Sequence, residues 1–595
     1  MKNSYTISDF YSQKPDILWS DRKNNTNQIS VLNYVEHNSE EIKKKFCDLV
    51  DNLSIFMQDQ KKIFNNLNLD YGYNFFWSSD FYEKSFYKSP EIINQIKLIA
   101  LQEILKNLRV KKLIININSK IDTDSVVQLC KDLEINYENK IKKISINIIN
   151  FKKILYPLIT VIKFIKFIFI RLAFENIDWS KINNSKPKNI FFGYSVYSDK
   201  NKLMQGSFNS PYWDPLIENN LVKNSLWVNL YFHTKNNSLN KEIKYYKNIN
   251  NTDYPIIFIE QLADFKIFIN SLKKYFKIFF KLYFFHNSIN VYLKKKNCFF
   301  LKYHFFNYYE KSFYGLPLIV NIFYYYLFCK LKKNIHSNPK IFYLFENQGW
   351  EKTLNFIFFS EFKTIAVNHS SIRYWDLRFI KNKNLNIKYL PKIYAVNSND
   401  SYKKLILNNF EMKKIINLEA LRYYELYKKI NKNINNKNIK TILIVSDVHN
   451  DGNKNLEKLL QNIIPSNFSN NIFLLKEHLL KKTNFSFGFK FNITKKKLFE
   501  LQSCARIAVV SSTTSAIIDL LIMGYEIIVP LNSDTLNFSP LKDCEQVTFI
   551  SEYKNINEIL KQKLNKIKNN NIYLENNFFN YNVNLSNWRK ILNDY

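Results

Sequence analysis

Short apolar runs alternate with helical patterns along this chain, and the clearest pair of runs lies near its middle. The first run, residues 341–345, ends abruptly in the polar sequence ENQGWE. A helical pattern follows, and a second run, 364–367, ends in NHSSIRYWDLR. Strand, polar loop, helix, strand and polar loop form a βαβ unit of a parallel sheet. Because such sheets bind ligands at the carboxyl ends of their strands, we expect both polar loops to line one site.

The same alternation predicts an α/β protein along the rest of the chain. Strands are predicted at 16–20, 74–78, 111–118, 143–150, 189–194, 226–232, 341–345, 364–367, 393–398, 441–446, 472–475, 506–510 and 526–530. Helices are predicted at 89–108, 151–174, 253–285, 320–331, 495–505 and 516–523, the last ending at Gly524.

The order of these elements predicts two Rossmann-like lobes that face a cleft, with an additional N-terminal α/β region. We assign residues 1–150 to that N-terminal α/β region, 151–185 to a basic amphipathic connecting helix, 186–430 to the N-lobe and 436–595 to the C-lobe. A segment rich in Asn and Lys, 428–440, marks the boundary between the lobes.

Residues 151–174 (FKKILYPLITVIKFIKFIFIRLAF) are long enough to span a membrane. On a helical projection, however, their four lysines and Arg171 gather on one side and leave an apolar face. This pattern favours a helix that lies on a membrane surface, or is buried against the protein, over one that spans. A second basic and aromatic stretch, 265–285, has the same character. Both interpretations, membrane contact and protein core, remain open.

The chain carries 86 basic and 51 acidic residues, a formal net charge of +35. Such a charge often indicates nucleic acid or an anionic membrane as a partner. The lysines are dispersed, however, and abundant Ile, Lys, Asn, Phe and Tyr beside only 8 Gly and 13 Pro are typical of an AT-rich genome. We expect no nucleic acid partner, and attribute part of the charge to a membrane surface or an anionic substrate.

The cysteines and the N-terminal sequence indicate the cellular compartment of the protein. The six cysteines are far apart and form no C-x-x-C pair, so neither a zinc site nor a disulfide framework is expected. The N-terminus lacks the apolar core of a signal peptide. We predict a cytoplasmic protein, which the basic-apolar helices would place peripherally on the inner face of the cytoplasmic membrane.

Hydroxyl side chains directly follow a predicted strand in the C-lobe. Residues 511–515 (SSTTS) stand between this strand and a helix, where backbone N–H groups and hydroxyls can bind phosphate. Lys476 and His478, which end another strand, could meet the same phosphate or its ribose. The alternative is that Ser512 or Thr513 only caps the helix. All eight glycines are isolated, which excludes the P-loop and G-x-G-x-x-G fingerprints.

The pairing of K-x-H with a later S-S-T-T-S resembles the nucleotide-binding lobe of bacterial GT-B glycosyltransferases that use CMP-activated acidic sugars. In those sialyltransferases and Kdo transferases a His-Pro motif and a Ser-Ser/Thr motif contact CMP, whereas Leu479 replaces the proline here. The motifs ENQGWE, NHSSIRYWDLR, LEALRY and the Tyr212-Trp213 loop resemble a family of surface carbohydrate biosynthesis proteins over most of 190–545. These resemblances imply a GT-B-like fold and a role in cell-surface polysaccharide.

The resemblance also implies roles for individual residues. CMP would be bound by Lys476, His478, Ser511, Ser512, Thr513 and Thr514. An inverting transfer needs a general base and a carboxylate near an oxocarbenium-like transition state; the catalytic candidates are Glu346, Asp376 and His369. Substrate contacts are expected from Asp214, Gln348, Trp350, Glu351, Asn368, Ser370, Arg373, Arg378 and Arg422. The arginines could hold a sugar carboxylate or phosphate, or form ordinary ion pairs.

Two functions follow. The first is an inverting, metal-independent glycosyltransferase that moves a CMP-activated acidic sugar onto a cell-surface polysaccharide or lipid-linked glycan. Its partners are a nucleotide sugar, which acts as co-substrate, and a glycan acceptor; neither a metal nor another cofactor is expected. The second is a non-catalytic protein that binds glycan or assembly partners in surface polysaccharide biosynthesis.

Overall fold

Three parallel β-sheets, each with helices on its faces, make up the protein. The computed structural model describes residues 4–9, 14–22, 28–59, 64–65, 67–140, 149–233, 238–247, 249, 254–283, 286–430, 440–448, 450–478, 481–483, 485–486, 488–532, 534–542, 544, 546–565 and 578–593. Within these residues the sheets have five, seven and six strands, and the paired strands are parallel. Parallel sheets flanked by helices define the α/β class, so the predicted fold class is confirmed.

The five-stranded sheet belongs to the N-terminal region and has the order β3-β2-β1-β4-β5. Its strands are β1 (Ser4–Ser8), β2 (Ile17–Leu18), β3 (Ile29–Ser30), β4 (Lys112–Asn116) and β5 (Asn136–Asn139). The helices are α1 (Val31–His37), α2 (Ser39–Asp59), α3 (Asp80–Glu83), α4 (Glu91–Asn107) and α5 (Lys120–Asp132). The strands predicted at 16–20 and 111–118 and the helix at 89–108 are confirmed.

The strand predicted at 74–78 is wrong, because Phe75–Ser78 form a 3-10 helix. Asn74 begins this turn, and its side-chain oxygen accepts a hydrogen bond from the backbone N–H of Phe76 at 2.9 Å. The run is buried on all sides, so its hydrophobicity has no period that could separate a strand from a helical turn. Of the strand predicted at 143–150, residues 143–148 lie outside the described residues, and the last two begin a helix.

The seven-stranded sheet forms the N-lobe, in the order β12-β11-β10-β9-β6-β7-β8. Its strands are β6 (Asn189–Tyr194), β7 (Leu226–Leu230), β8 (Ile256–Phe258), β9 (Lys340–Leu344), β10 (Thr364–Val367), β11 (Ile393–Val396) and β12 (Ile415–Asn417). Its helices are α6 (Ile149–Ile170), α7 (Trp179–Asn184), α8 (Lys200–Met204), α9 (Asp214–Glu218), α10 (Leu239–Tyr246), α11 (Phe265–Tyr283), α12 (His286–Lys295), α13 (Lys302–Tyr314), α14 (Leu316–Asn334), α15 (Gly349–Phe358), α16 (Asn399–Leu407) and α17 (Tyr424–Lys429). The winding direction reverses between β6 and β9, where such sheets bind ligands.

The helix predicted at 253–285 starts later than expected. Ile256–Phe258 pair with β7 as a strand, and a 3-10 turn follows before α11 begins at Phe265. The three-residue apolar run 256–258, which the prediction included in the helix, therefore forms the edge strand β8.

The six-stranded sheet forms the C-lobe, in the order β15-β14-β13-β16-β17-β18. Its strands are β13 (Thr441–Val445), β14 (Ile472–Lys476), β15 (Asn492–Thr494), β16 (Ile507–Val510), β17 (Glu526–Pro530) and β18 (Val547–Ile550), and its helices are α18 (Asn450–Leu460), α19 (Ala516–Ile522) and α20 (Ile556–Asn565). The helix predicted at 495–505 is wrong: the Glu500 side chain caps the backbone N–H of Lys497 at 2.8 Å, and only one 3-10 turn, Leu498–Leu501, forms.

Residues 586–593 pack on the N-lobe, although they lie in the range 436–595 that the prediction assigned to the C-lobe. Helix α21 (Ser586–Asn593) begins where Glu419 accepts hydrogen bonds from the backbone N–H groups of Asn587 (3.0 Å) and Trp588 (3.2 Å). Trp588 is fully buried against N-lobe aromatic residues, including Trp213. The last helix therefore ties the two lobes together through an apolar contact.

The N-terminal region is continuous with the N-lobe rather than separate from it. One hydrophobic core includes side chains from β1, from α4 and from the helices α13 and α14. Asn307 of α13 also donates a hydrogen bond to Glu91 of α4 at 2.7 Å. Two Rossmann-like lobes with a C-terminal helix on the N-lobe form a GT-B-like arrangement, to which the N-terminal sheet is added.

Candidate functional site

The two polar loops predicted to line a site do lie side by side. Strand β9 runs into Glu346 and the paired strand β10 into His369. His369 Nε2 is 3.7 Å from Glu346 Oε1. The His369 ring also contacts the ring of Tyr212, from the β6–β7 connection, with 5.1 Å between ring centroids. These three residues form one cluster at the reversal point of the N-lobe sheet.

The cluster holds two groups with shifted proton affinity. Burial lowers the pKa of His369 to about 3, and the positive charges of Arg422 and Arg378 add to the shift. The imidazole is therefore neutral at physiological pH, and its buried Nδ1 has no hydrogen-bond partner among the described residues. Burial also raises the pKa of Glu346, although Arg378 opposes this shift. The cluster therefore joins a neutral imidazole, which can accept a proton, to a carboxyl group of raised pKa.

Glu351 shapes the loop that carries Glu346. Its Oε1 accepts hydrogen bonds from the backbone N–H groups of Glu346 (3.1 Å) and Gln348 (3.0 Å), and its Oε2 from that of Asn347 (3.0 Å). Burial raises the pKa of Glu351, and the backbone donors oppose this shift. The carboxylate is buried beneath the loop, so Glu351 takes a structural place instead of the predicted substrate contact.

Two further predicted substrate contacts lie inside the protein. Trp350 packs in the core beside Phe192 and Phe328. Asn368 is buried and accepts a hydrogen bond from Ser401 Oγ at 3.3 Å. Neither side chain is exposed to a ligand in the cleft.

Asp376 is held by Arg378 through two hydrogen bonds, of 2.8 Å from Nε and 2.7 Å from Nη2. Both carboxylate oxygens are engaged by the guanidinium, so Asp376 supports the site as half of an ion pair. The pair lies close enough to Glu346 for both charges to act on the pKa of Glu346. Gln348 Nε2 donates a hydrogen bond directly to Glu346 Oε2.

Two arginines reach from the N-lobe side of the cleft to the C-lobe. Arg422 Nη2 donates to Ser515 Oγ at 2.8 Å, and Arg373 Nη1 donates to the carbonyl oxygen of Phe538 at 3.3 Å. Burial raises the pKa of Asp519 in α19 to about 6, and Arg422 opposes this shift. Arg422 therefore lies between the His369 cluster and the C-lobe hydroxyl loop.

The hydroxyl loop itself is bonded within the C-lobe. The Ser511 and Thr513 hydroxyls both donate to Asp447 Oδ2, the former at 3.2 Å, and Ser512 Oγ donates to Asn532 Oδ1 at 3.0 Å. These protons are already used, so the three hydroxyls could donate to a phosphate only after changing partners.

Lys476 and His478 lie on the other side of the central strand β13. The backbone N–H of His478 donates to Ser446 Oγ at 3.0 Å, and Ser446 ends β13. Strands β14 and β16 both pair with β13. The K-x-H residues and the hydroxyl loop therefore share one edge of the sheet and stand about 10 Å apart, two strand spacings.

The remaining predicted residues lie near the cleft. Thr514 Oγ1 accepts the N–H of Ala516 at 3.3 Å, Ser370 is half-buried beside His369, and Asp214 accepts the N–H of Ser210 at 2.6 Å. Burial raises the pKa of Asp214.

Sequence reasoning missed a second group of residues, which connects the N-terminal region to the cleft. Arg22 donates to the carbonyl oxygens of Asn532 (2.8 Å) and Thr535 (2.6 Å). Glu36 pairs with Arg22 (3.2 Å) and with Lys542 (3.0 Å). Arg22 and Glu36 are about 500 positions away from their C-lobe partners along the chain, so no local sequence pattern predicts these contacts.

Neither a metal-binding cluster nor any of three cavities elsewhere in the described residues includes the predicted site residues. Among the described residues no group of three or more His, Cys, Asp or Glu side chains could hold a metal ion. The cavities of about 190, 530 and 530 Å³ elsewhere in the protein are lined by none of the predicted site residues.

No family model and no curated protein matches this chain. Among solved structures it is similar to Anabaena HepE in complex with UDP and glucose, at 10% identity and a TM-score of 0.30, over 64% of this chain and 90% of that one. It is also similar to the Methanocaldococcus jannaschii UDP-GlcNAc 2-epimerase in complex with UDP-GlcNAc and UDP (11%, 0.36, 68% and 98%). A third is the calicheamicin glycosyltransferase CalG4 (7%, 0.32, 64% and 91%). The α/β fold is established by the parallel sheets described above, and these similarities are not used as evidence for it.

Proposed function

We propose that this chain is an inverting glycosyltransferase that moves a sugar from a nucleotide sugar onto a cell-surface polysaccharide or a lipid-linked glycan. The observation that carries the proposal is the neutral His369 beside Glu346, at the reversal point of the N-lobe sheet and with Arg422 leading to the C-lobe loop. A base and an arginine on one lobe, facing hydroxyl groups on the other, are what a transfer between two bound substrates needs.

In this mechanism His369 Nε2, the ring nitrogen that faces Glu346, takes the proton of the acceptor hydroxyl as its oxygen attacks the anomeric carbon. The bond from that carbon to the phosphate oxygen breaks, and the nucleotide leaves with the electron pair. Attack opposite the leaving group inverts the anomeric configuration. Arg422 is the cation best placed to stabilise the departing phosphate, and Glu346 can stabilise positive charge that develops on the sugar.

The proposed donor is a CMP-activated acidic sugar, on the strength of the K-x-H and SSTTS motifs. The arginines of the cleft provide the positive charge that a phosphate and a sugar carboxylate require, and the transfer is proposed to need no metal. The proposed location is the cytoplasm, with a peripheral position on the inner face of the cytoplasmic membrane through 151–174 and 265–285.

Isothermal titration of the full chain with CMP, CDP, UDP and GDP tests the donor. We expect CMP to bind most tightly, and Arg422→Gln to weaken that binding about tenfold, because a hydrogen bond to a charged group contributes about 1.5–3 kcal/mol. Arg589→Gln, which removes an exposed arginine bonded to Asn584, is the control. If none of the four nucleotides binds, the transferase proposal is wrong; if another binds best, the CMP assignment is wrong.

One observation favours a non-catalytic glycan-binding or assembly protein as the second candidate. Asp447 engages the hydroxyls of Ser511 and Thr513, which places a carboxylate where a donor phosphate would lie. A protein of this second kind would bind glycan but no nucleotide, and the same titration distinguishes the two.

A further inference from the structure

Helices α6 and α11 expose large apolar side chains to solvent. On α6 these side chains recur every three or four residues and form one stripe, which consists of Leu155, Leu158, Ile159, Ile162, Ile165 and Phe169. On α11 the exposed side chains are Phe265, Phe276 and Phe280. We call these nine residues the apolar stripe.

The opposite face of α6 is fixed to the protein. Phe164 is fully buried, and its ring stacks on Phe268 of α11 with 5.7 Å between centroids. Thr160 Oγ1 donates to the carbonyl oxygen of Tyr314 at 3.2 Å. Helix α6 is thus apolar on its inner and outer faces. A helix on the surface of a soluble protein has a polar outer face, so the apolar stripe indicates a second apolar environment.

The charges beside the stripe indicate what that environment is. Neither α6 nor α11 contains an acidic residue. Six exposed lysines stand on them: Lys163, Lys166, Lys266, Lys273, Lys277 and Lys281. None of the six has an ion-pair partner among the described residues. Apolar side chains among unpaired ammonium groups fit the boundary between acyl chains and anionic headgroups.

We infer that α6 and α11 dock the protein on an anionic lipid bilayer, with both helices lying along its surface. The one stretch long and apolar enough to cross a membrane among the described residues is 299–334. It comprises α13 and α14, and 67% of its most apolar window is buried inside the protein. The apolar stripe, by contrast, is exposed.

The docked orientation places the cleft close to the lipid. At the end of α6 the Arg171 guanidinium lies 5.4 Å from the ring of Tyr231, directly after β7. Helix α6 therefore ends at the same carboxyl edge as Glu346, which follows β9. Only β6 separates β7 from β9, a distance of about 10 Å. The acceptor would then be a glycan on a lipid carrier; this part rests on the proposed function, whereas docking itself does not.

Flotation of the full chain with vesicles tests the docking. We expect binding to phosphatidylcholine vesicles that contain phosphatidylglycerol, weaker binding to phosphatidylcholine alone, and a loss of binding as salt rises. The double variant Ile162→Glu, Phe169→Glu replaces side chains that are 59% and 70% exposed. It should bind at least about tenfold more weakly, because it removes apolar insertion and adds negative charge.

The matched control is Leu407→Glu, Met412→Glu, which replaces side chains that are 80% and 64% exposed, in and after α16. It makes the same charge change on and after a helix that packs against β11 and β12 and should bind vesicles as the wild type does. The inference is overturned if the wild type does not float, if both variants lose binding equally, or if light scattering shows a dimer that the stripe variant dissociates. CMP titration of the stripe variant without lipid should match the wild type, which separates failure of docking from failure of the cleft.

Discussion

At His369 the protein keeps an imidazole neutral, and the Nδ1 of that ring has no hydrogen-bond partner within the part of the chain that the structure describes. Replacing His369 by Gln preserves much of its size but removes the base, so we expect the transfer rate to fall by a factor of about 10² to 10⁴. Nucleotide affinity should change little, because the proposed nucleotide contacts are Arg422 and residues of the C-lobe, and His369 is not among them. Steady-state kinetics and calorimetry on the same samples check both statements, with His336→Gln, an exposed histidine, as the control.

The same histidine should make stability depend on pH in a defined direction. Its pKa is about 3 in the folded chain and about 6.5 when unperturbed. As the pH falls below about 6.5, the unfolded chain takes up a proton that the folded chain does not, so the free energy of unfolding falls with pH until about pH 3.

His369→Gln removes this contribution. Between about pH 7 and pH 5 the variant should therefore lose roughly 1–2 kcal/mol less stability than the wild type. Urea unfolding at a series of pH values measures this difference. Equal pH slopes for the two proteins would mean that His369 titrates normally in the folded chain.

The sequence predicted which polar side chains stand at the strand ends better than it predicted which residues those side chains contact. Glu346 and His369 stand just after apolar runs, so the sequence pattern predicted that both lie at the ends of strands. Trp350 and Glu351 stand in the same motif, yet they begin a helix and turn inward. The direction of a side chain depends on the helix that starts there, and a motif of mixed polar and aromatic residues does not reveal it.

Among the elements, the start of α18 shows how closely the C-lobe loop is packed. A Cβ on Gly452 would overlap Ser511 Oγ and lie 2.8 Å from Thr513 Oγ1 and 3.2 Å from Asp447 Oδ2. Gly452→Ala should push these hydroxyls away from Asp447 and destabilise the protein by about 1–3 kcal/mol. Gly488→Ala is the matched control, since a Cβ there meets no atom within 4 Å. Denaturant midpoints compare the two; equal values would show that the loop adjusts freely.

Helix α1 joins both lobes through Glu36. The carboxylate pairs with Arg22 and Lys542 and accepts a hydrogen bond from Trp375 Nε1 at 3.1 Å. Glu36→Ala leaves the buried Arg22 and the partly buried Lys542 without their carboxylate partner, so we expect a loss of about 3–5 kcal/mol and faster hydrogen exchange in 534–542. Glu41→Ala, which removes an exposed carboxylate paired with Lys45, should leave both unchanged. If the two variants behave alike, the Glu36 contacts do not hold the lobes.

Nine strands of the two lobes were predictable because each is an apolar run of four to six residues bounded by polar ones, whereas the three-residue strands β8, β12 and β15 and the edge strand β18 were not predicted. The 3-10 helix at Phe75–Ser78 was not, since a fully buried run has no period. The return of Trp588 to the N-lobe and the contact between Arg22 and Asn532 join distant parts of the chain. Local periodicity contains no information about such pairs.

On the scale of the whole molecule, the regions of all three sheets contribute residues to the contacts around the cleft between the lobes. The N-lobe supplies the base, the C-lobe supplies the hydroxyl loop, and the N-terminal region holds 534–542 of the C-lobe against the loop of Trp375. Because the buried Arg22 and the partly buried Glu36 bond to the C-lobe, we expect the cleft to open less freely than it would without the N-terminal region.

Hydrogen exchange of the full chain with and without CMP tests the central claim most directly. If the two lobes form one nucleotide-sugar site, bound CMP should slow exchange at the C-lobe strand exits, 446–448, 476–478 and 511–516. It should also slow exchange at the N-lobe loops 346–348 and 368–370, since the lobes close over the ligand. Protection confined to other parts of the chain, or no protection at saturating CMP, would contradict the account.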